Sequence, residues 1–138
     1  MGIAGMGAVD EQPWGHGAAI AHVAGHLITI SIGINDFWWC GQVEPLLKST
    51  VAGIRAVQPL TPIVLITPTP AYYEGQLCKG NTHQTLEDLR EMVRNVAEDA
   101  LREKGDNAIF LVEGPQILPK ALTVEGLHPT KEGMEAMA

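Results

Sequence analysis

Two short stretches carry side chains suited to acid–base and oxyanion chemistry. Val124-Glu125-Gly126-Leu127-His128-Pro129 puts a carboxylate three residues before a histidine, in a segment punctuated by glycine and proline. Glu125 there can accept the imidazole Nδ1–H of His128 and leave Nε2 free to take a proton. The same residues also suit a surface loop whose Glu and His face water. Gly33-Ile34-Asn35-Asp36 closes a strongly apolar run. The Asn35 side chain can donate an N–H to an oxyanion, and asparagine is equally a turn former. Phe37, Trp38 and Trp39 follow at once. Three rings after a strand can wall an acyl or sugar pocket, or divide between core and lid packing.

Together these stretches resemble the sequence blocks of the SGNH (GDSL-type) esterases and lipases. That family carries a Gly-Asp-Ser nucleophile, a glycine, a Gly-x-Asn-Asp and a closing Asp-x-x-His-Pro. Gly33-Ile34-Asn35-Asp36 is similar to the third block. Glu125-Gly126-Leu127-His128-Pro129 is similar to the fourth, with Glu in place of Asp. Gly2-Ile3-Ala4-Gly5 resembles the end of the second, which puts the oxyanion glycine at Gly5.

The resemblance implies a three-layer α/β/α flavodoxin-like sandwich with a parallel sheet in the order 2-1-3-4-5. Only the last three of those strands are represented here. It implies a serine ester hydrolase acting on a small-molecule ester, with no cofactor and no metal. His128 would be the base and Glu125 its orienter; the Gly5 N–H and the Asn35 side chain would hold the oxyanion. Phe37, Trp38 and Trp39 would line the substrate site. Asn35, His128 and Gly5 should then converge at the C-terminal ends of the strands, where parallel α/β sheets place their sites.

The chain departs from the family at the nucleophile. No Gly-Asp-Ser occurs, and the only serines, Ser31 and Ser49, both follow Gly5. Ser31 falls within an apolar strand and Ser49 within a helix, whereas a nucleophile needs a sharp, exposed turn near its base. The expectation is one domain over residues 1–138, truncated at both ends, with its nucleophile upstream. The alternative is a non-catalytic SGNH-like binding domain.

Composition narrows the classes. Of 138 residues, 46% are apolar and 18% charged, which is a globular balance rather than a disordered one. Nine basic against 16 acidic residues leave a net charge of −7. With no basic run to neutralise phosphates, nucleic acid is not an expected partner. The most apolar stretch, Ala18 to Ile34, carries His22 and His26 and does not read as a membrane span. No basic n-region precedes it, since the first Lys or Arg is Lys48, so no signal peptide is visible.

The elements that must position the two blocks follow from periodicity. Leu27 to Gly33, Ile63 to Thr67 and Asn107 to Val112 read as buried parallel strands. Pro45 sits at a plausible first helical position, and Val43, Leu46, Leu47, Val51, Ile54 and Val57 recur at helical spacing. Thr82 to Lys104 gives the clearest helix, with Leu86, Leu89, Val93, Val96, Ala97, Ala100 and Leu101 as its apolar stripe. Asn81 or Thr82 is its expected cap, Gly105 its stop, and its charges a solvated face. A short turn at Pro115 to Leu118 and a final helix capped by Thr130 complete the chain. Strands alternating with helices predict β-α-β units.

Other signals are weaker. Gly2-x-x-Gly5-x-Gly7 lacks the order and the preceding strand of a dinucleotide fingerprint. His22 and His26 have helical spacing but no third ligand nearby. Cys40 and Cys78 each follow a strand end and should lie close, as a bridge or as two thiols. Leu27 to Gly33, lacking its family neighbours, would become an apolar sheet edge without lysine, open to a homodimer.

Overall fold

The structure is a computed structural model that describes residues 25–32, 37, 42–78, 83–119, 122–124 and 126–137. Three parallel strands form its centre: β1 (Ile28–Ser31), β2 (Ile63–Ile66) and β3 (Ile109–Val112), in that spatial order. Ile28 pairs with Ile63, and Ile63 with Ile109, so the strands start level and end level. Helix α1 (Val43–Val57) connects β1 to β2, and α2 (Leu86–Lys104) connects β2 to β3. Crossovers of one hand that step the same way across a sheet put their helices on the same face.

That face holds the main core. Ile28, Ile30, Ile63, Leu65 and Ile109 point toward Leu47, Val51 and Ile54 of α1 and Val93, Val96, Ala97 and Ala100 of α2, all buried. Each such aliphatic side chain contributes roughly 1.5–3 kcal/mol through burial. The expected strands and both long helices are present. The strands are not buried on both faces, however: Thr29, Ser31 and Phe110 are exposed on the face away from α1 and α2. Val64 and Ile66 of the central strand are half-buried on that face, and the apolar runs did not distinguish partial from full cover, because β-branched residues suit a strand in either case.

Two helix starts differ from expectation. In α1, Pro45 is the third residue rather than the first, a place where the missing N–H still costs nothing because first-turn donors have no helical acceptor. In α2, the cap is Thr85, not Asn81 or Thr82, which lie outside the described residues. Thr85 Oγ1 accepts from Asp88 N–H, and the Asp88 carboxylate accepts from Thr85 N–H at 2.6 Å. This is a capping box built with Asp where Glu or Gln is usual. Gly105 closes the helix in the left-handed conformation, as expected.

At the N-terminal ends of the strands, Arg55 of α1 acts as a clamp. Its guanidinium donates to Asp106 at 2.6 and 3.2 Å, to Thr61 O at 2.6 Å and to Ala108 O at 3.1 Å. The segments that lead into β2 and β3 are thereby held to one helix. The chain closes with a single helical turn, α3 (Gly114–Ile117), an antiparallel pair β4 (Thr123–Val124) and β5 (His128–Pro129), and α4 (Lys131–Met137). Thr130 caps α4 through Gly133 N–H, as expected. No described helix is long and apolar enough to cross a membrane.

The Thr85 box gives a direct test of the revised helix start. Thr85→Ala should lower unfolding free energy by about 1 kcal/mol, the usual worth of a side-chain cap. Urea unfolding should show the midpoint fall, with Thr82→Ala changing nothing comparable.

Candidate active site

The loops that leave the C-terminal ends of the strands gather into a second buried cluster. Phe37, Val43, Ala71, Tyr73, Cys78, Leu86 and Leu89 form it, with Ile32, Met92 and Leu127 packed against it. Ile32 directly follows β1, and Ala71 to Cys78 belong to the segment that follows β2. Leu127 immediately precedes His128. Residues next to both chemical blocks of the sequence therefore share one apolar cluster.

His128 lies in β5, paired across the hairpin with Val124. The two side chains share the outer face of the hairpin and both are exposed. Leu127, one position earlier, faces inward. The expected loop is thus a hairpin, turned by Gly126 at φ 71°. Gly126 is fixed by space as well as by conformation. A Cβ there would sit 3.0 Å from Tyr72 Cβ and 3.4 Å from Tyr72 Cα and N. The hairpin turn therefore rests directly on the loop after β2.

Of the predicted site residues, Phe37 and His128 are described. Phe37 is 2% exposed and stacks on Tyr73 with ring centroids 4.2 Å apart. Of the two roles open to the aromatic triplet, this ring takes core packing. Tyr72 stands edge-on to Tyr73 at 5.0 Å and is half exposed. Gly5, Asn35, Glu125, Trp38 and Trp39 lie outside the described residues, as do His22 and Cys40. Ser31 pairs within the β1–β2 ladder and Ser49 is inside α1. Cys78 is buried, disulfide-bonded, and has its Sγ against the Phe37 carbonyl. The sequence has one other cysteine, Cys40.

A polar frame supports this loop cluster from α2. Arg90 is 5% exposed, contrary to the solvated face expected of this helix. Its Nε donates to Pro68 O at 2.8 Å and its Nη2 to Thr69 O at 3.4 Å. Its Nη1 donates to Glu74 at 3.1 Å and to Glu87 at 2.9 Å. Burial pulls the Arg90 pKa down, but Glu74 and Glu87 more than offset this and hold the guanidinium charged. One turn on, Arg94 makes a two-pronged pair with Glu113 at 2.8 and 3.0 Å. Glu113 Oε2 also accepts from the fully buried Thr67 hydroxyl at 2.9 Å, and Thr67 Oγ1 accepts from Gly114 N–H at 2.9 Å. Gly114 is required by this approach, since a Cβ would come within 2.1 Å of Thr67 O.

The exits of β2 and β3 are thus locked to each other and to α2. Sequence periodicity missed this, because arginine at a helical boundary position looks the same whether it faces water or a loop. The one available signal was Thr67-Pro68-Thr69-Pro70. Its prolines donate no N–H, and its carbonyls need a partner from elsewhere.

Among the described residues, no group of three or more His, Cys, Asp or Glu is arranged to hold a metal ion. The loop cluster sits at the C-terminal ends of the parallel strands, where open α/β sheets place their sites. The sequence profile of the GDSL-like lipase/acylhydrolase family matches residues 1–136, and the chain belongs to that family. No curated protein matches it significantly.

Solved structures agree on the fold, which is α/β and flavodoxin-like. The salicylyl-acyltransferase SsfX3 from a tetracycline biosynthetic pathway is 26% identical, with a TM-score of 0.74 over 89% of this chain and 38% of its own. A peptidoglycan O-acetylesterase is 17% identical, with a TM-score of 0.62 over 88% of this chain and 37% of its own. A structure described as a GDSL-like lipase from Bacteroides ovatus is 22% identical, with a TM-score of 0.57 over 88% and 35%. The chain spans well under half the length of these three.

Glu113 offers a pH test of the frame. The Arg94 guanidinium holds its carboxyl below the usual range against the opposing effect of burial, and the Thr67 hydroxyl assists. A carboxyl whose folded pKa is depressed adds stability above its unfolded pKa and loses it as pH falls through the folded value. Stability should therefore decline from about pH 4.3 downward, the ordinary glutamate value. Glu113→Gln should be less stable at neutral pH and show a shallower acid limb. Thermal unfolding across pH 2–7 on the order of one scan per unit checks both.

Proposed function

We propose that this chain carries the base and oxyanion side of a serine-dependent acyl hydrolase. The attacking hydroxyl is supplied by a Gly-Asp-Ser segment that these 138 residues do not contain. The serine oxygen bonds to the ester carbonyl carbon while His128 Nε2 takes its proton. Glu125 holds the imidazole tautomer, as Glu does in some α/β-hydrolase triads. The Gly5 N–H and Asn35 side chain stabilise the oxyanion, each donor being worth about 10²–10³ in rate. On collapse, the carbon–oxygen bond to the alcohol breaks and His128 returns the proton to it. Water then repeats the sequence on the acyl-serine. Trp38 and Trp39 wall the acyl site, with Phe37 as the buried root of the triplet.

The observation that carries this proposal is the shared cluster. Phe37 follows Asn35 by two positions and Leu127 precedes His128 by one, and Leu127 packs against the cluster in which Phe37 stacks on Tyr73. The likeness to a salicylyl-acyltransferase favours a second version, in which an alcohol rather than water accepts the acyl group. A binding domain without catalysis is the remaining alternative.

Hydrolysis of p-nitrophenyl acetate separates these outcomes. The 138-residue chain should be without family-typical turnover. A longer chain that includes the Gly-Asp-Ser should turn over, and His128→Ala should abolish it. Activity in the short chain that survives Ser31→Ala and Ser49→Ala would show the nucleophile to be misassigned. Full inertness of the longer chain would favour the binding domain.

We also propose that a second copy pairs along β1. Among the described residues, β1 pairs only with β2, and its exposed positions are Thr29 and Ser31, without a charge to discourage pairing. Light scattering across a dilution series should show a dimer; a monomer at every concentration overturns it.

A further inference from the structure

We infer that Arg90 is a positioning residue for His128, acting through the loop between β2 and Cys78. The inference rests on the hydrolase reading only for the role of His128; the mechanical linkage is independent of it. Three contacts in series make the linkage. First, the Arg90 guanidinium binds the loop at three points, Pro68 O, Thr69 O and the Glu74 carboxylate. Second, the loop between those points carries Tyr72 and Tyr73, and Tyr73 is buried against Phe37. Third, Gly126 lies close against Tyr72 Cβ, Cα and N, where a Cβ would fit only tightly, and its positive φ disfavours any side chain. His128 is two residues from Gly126 in the same hairpin.

The hairpin is held on its other side by the end of the chain: Thr130 N–H donates to Leu122 O at 2.8 Å, and Gly133 of α4 lies against Pro129 and Leu122 O. β4 and β5 are two residues each, which is far short of a self-supporting pair. Its inward anchor is Leu127, which packs on the same loop-built cluster. The path of residues 68–74 therefore sets the seat of the Gly126 turn, and through it bears on the height and tilt of His128. Turns at Ala71–Glu74 and Tyr73–Gln76 shape the later part of the loop, and Arg90 holds its start. Pro68 and Pro70 donate no backbone N–H, and the Pro68 and Thr69 carbonyls are satisfied by Arg90. The planar fork presents five N–H donors in fixed directions to two carbonyls and two carboxylates, whereas an ammonium has three donors on one nitrogen.

The imidazole Cε1–Hε1 signal of His128 in the 138-residue chain tests this without needing a nucleophile. Arg90→Met should displace or broaden that signal, as the hairpin loses its fixed seat. Gly126→Ala should do likewise from the other end of the linkage. Val93→Ala, a core truncation under the same helix, should lower the melting temperature yet leave the signal in place. Arg102→Met on the exposed end of α2 should change neither. If Arg90→Met does not fold, Glu74→Gln takes its place, since it removes one point of the fork and leaves the carbonyl contacts. An unmoved His128 signal in a folded Arg90 or Glu74 variant would overturn the inference. So would an equal displacement in Val93→Ala, which would make the effect one of general stability. Because the readout is structural, inactivity of a longer chain toward esters would count against the hydrolase reading and not against the linkage.

Discussion

A guanidinium taken out of water must keep every donor occupied, and that requirement shapes the site end of this molecule. Arg90 is among the most buried polar side chains described, and its partners come from α2 itself and from the loop after β2. Removing one partner of a buried charge costs far more than the pair contributes, because the remaining charge is left desolvated. The loop consequently has one acceptable path. That path places Tyr73 on Phe37, and the Tyr72 backbone where only a glycine can approach. Arg94 extends the constraint by one helical turn, tying the exit of β3 to the exit of β2 through Glu113 and Thr67.

The two ends of the sheet are secured by the same chemistry for different purposes. At the N-terminal ends Arg55 gathers Asp106 and the carbonyls of Thr61 and Ala108. Neither described site residue, Phe37 or His128, is among its partners, and the clamp serves to hold strand entries in register. At the C-terminal ends the clamped segments bear the residues that surround the chemistry. Parallel strands make this division natural, since all their exits face one way. A single helix, α2, packs the core with its apolar stripe and organises the site with the arginines beside that stripe.

Legibility in the sequence followed the same division. Apolar periodicity located β1, β2, β3, α1 and α2, because burial against a sheet requires a repeat that can be counted. The Thr130 cap and the Gly105 stop were equally legible, being local signals. The α2 start was misplaced because Asp88 at the third position is a poorer sign of a capping box than Glu or Gln. The role of Arg90 was not legible at all. Its acceptors are 16 to 22 residues away, on a loop whose path depends on the contact itself. The exposure of Phe110 was hidden for a related reason: which face is covered depends on crossover direction, and Phe110 reads as core in either case. The blocks around Asn35 and His128 stood out by residue type and spacing, whereas their support did not.

The core and the site end should therefore differ in how they tolerate change. Ile28, Ile63, Leu65 and Val93 are held by area and volume, so substitutions that conserve both disturb little. Arg90, Thr67, Glu113 and Gly114 are held by direction and by exclusion, and no neighbour in size reproduces them. A lysine at position 90 would keep the charge and lose the fork, leaving at least one loop carbonyl without its donor. An alanine at position 114 would keep the helix turn and drive the β2 exit outward. In each case the strands and helices would survive, and the loops over their C-terminal ends would lose the single arrangement that brings the flanks of the two chemical blocks into one cluster.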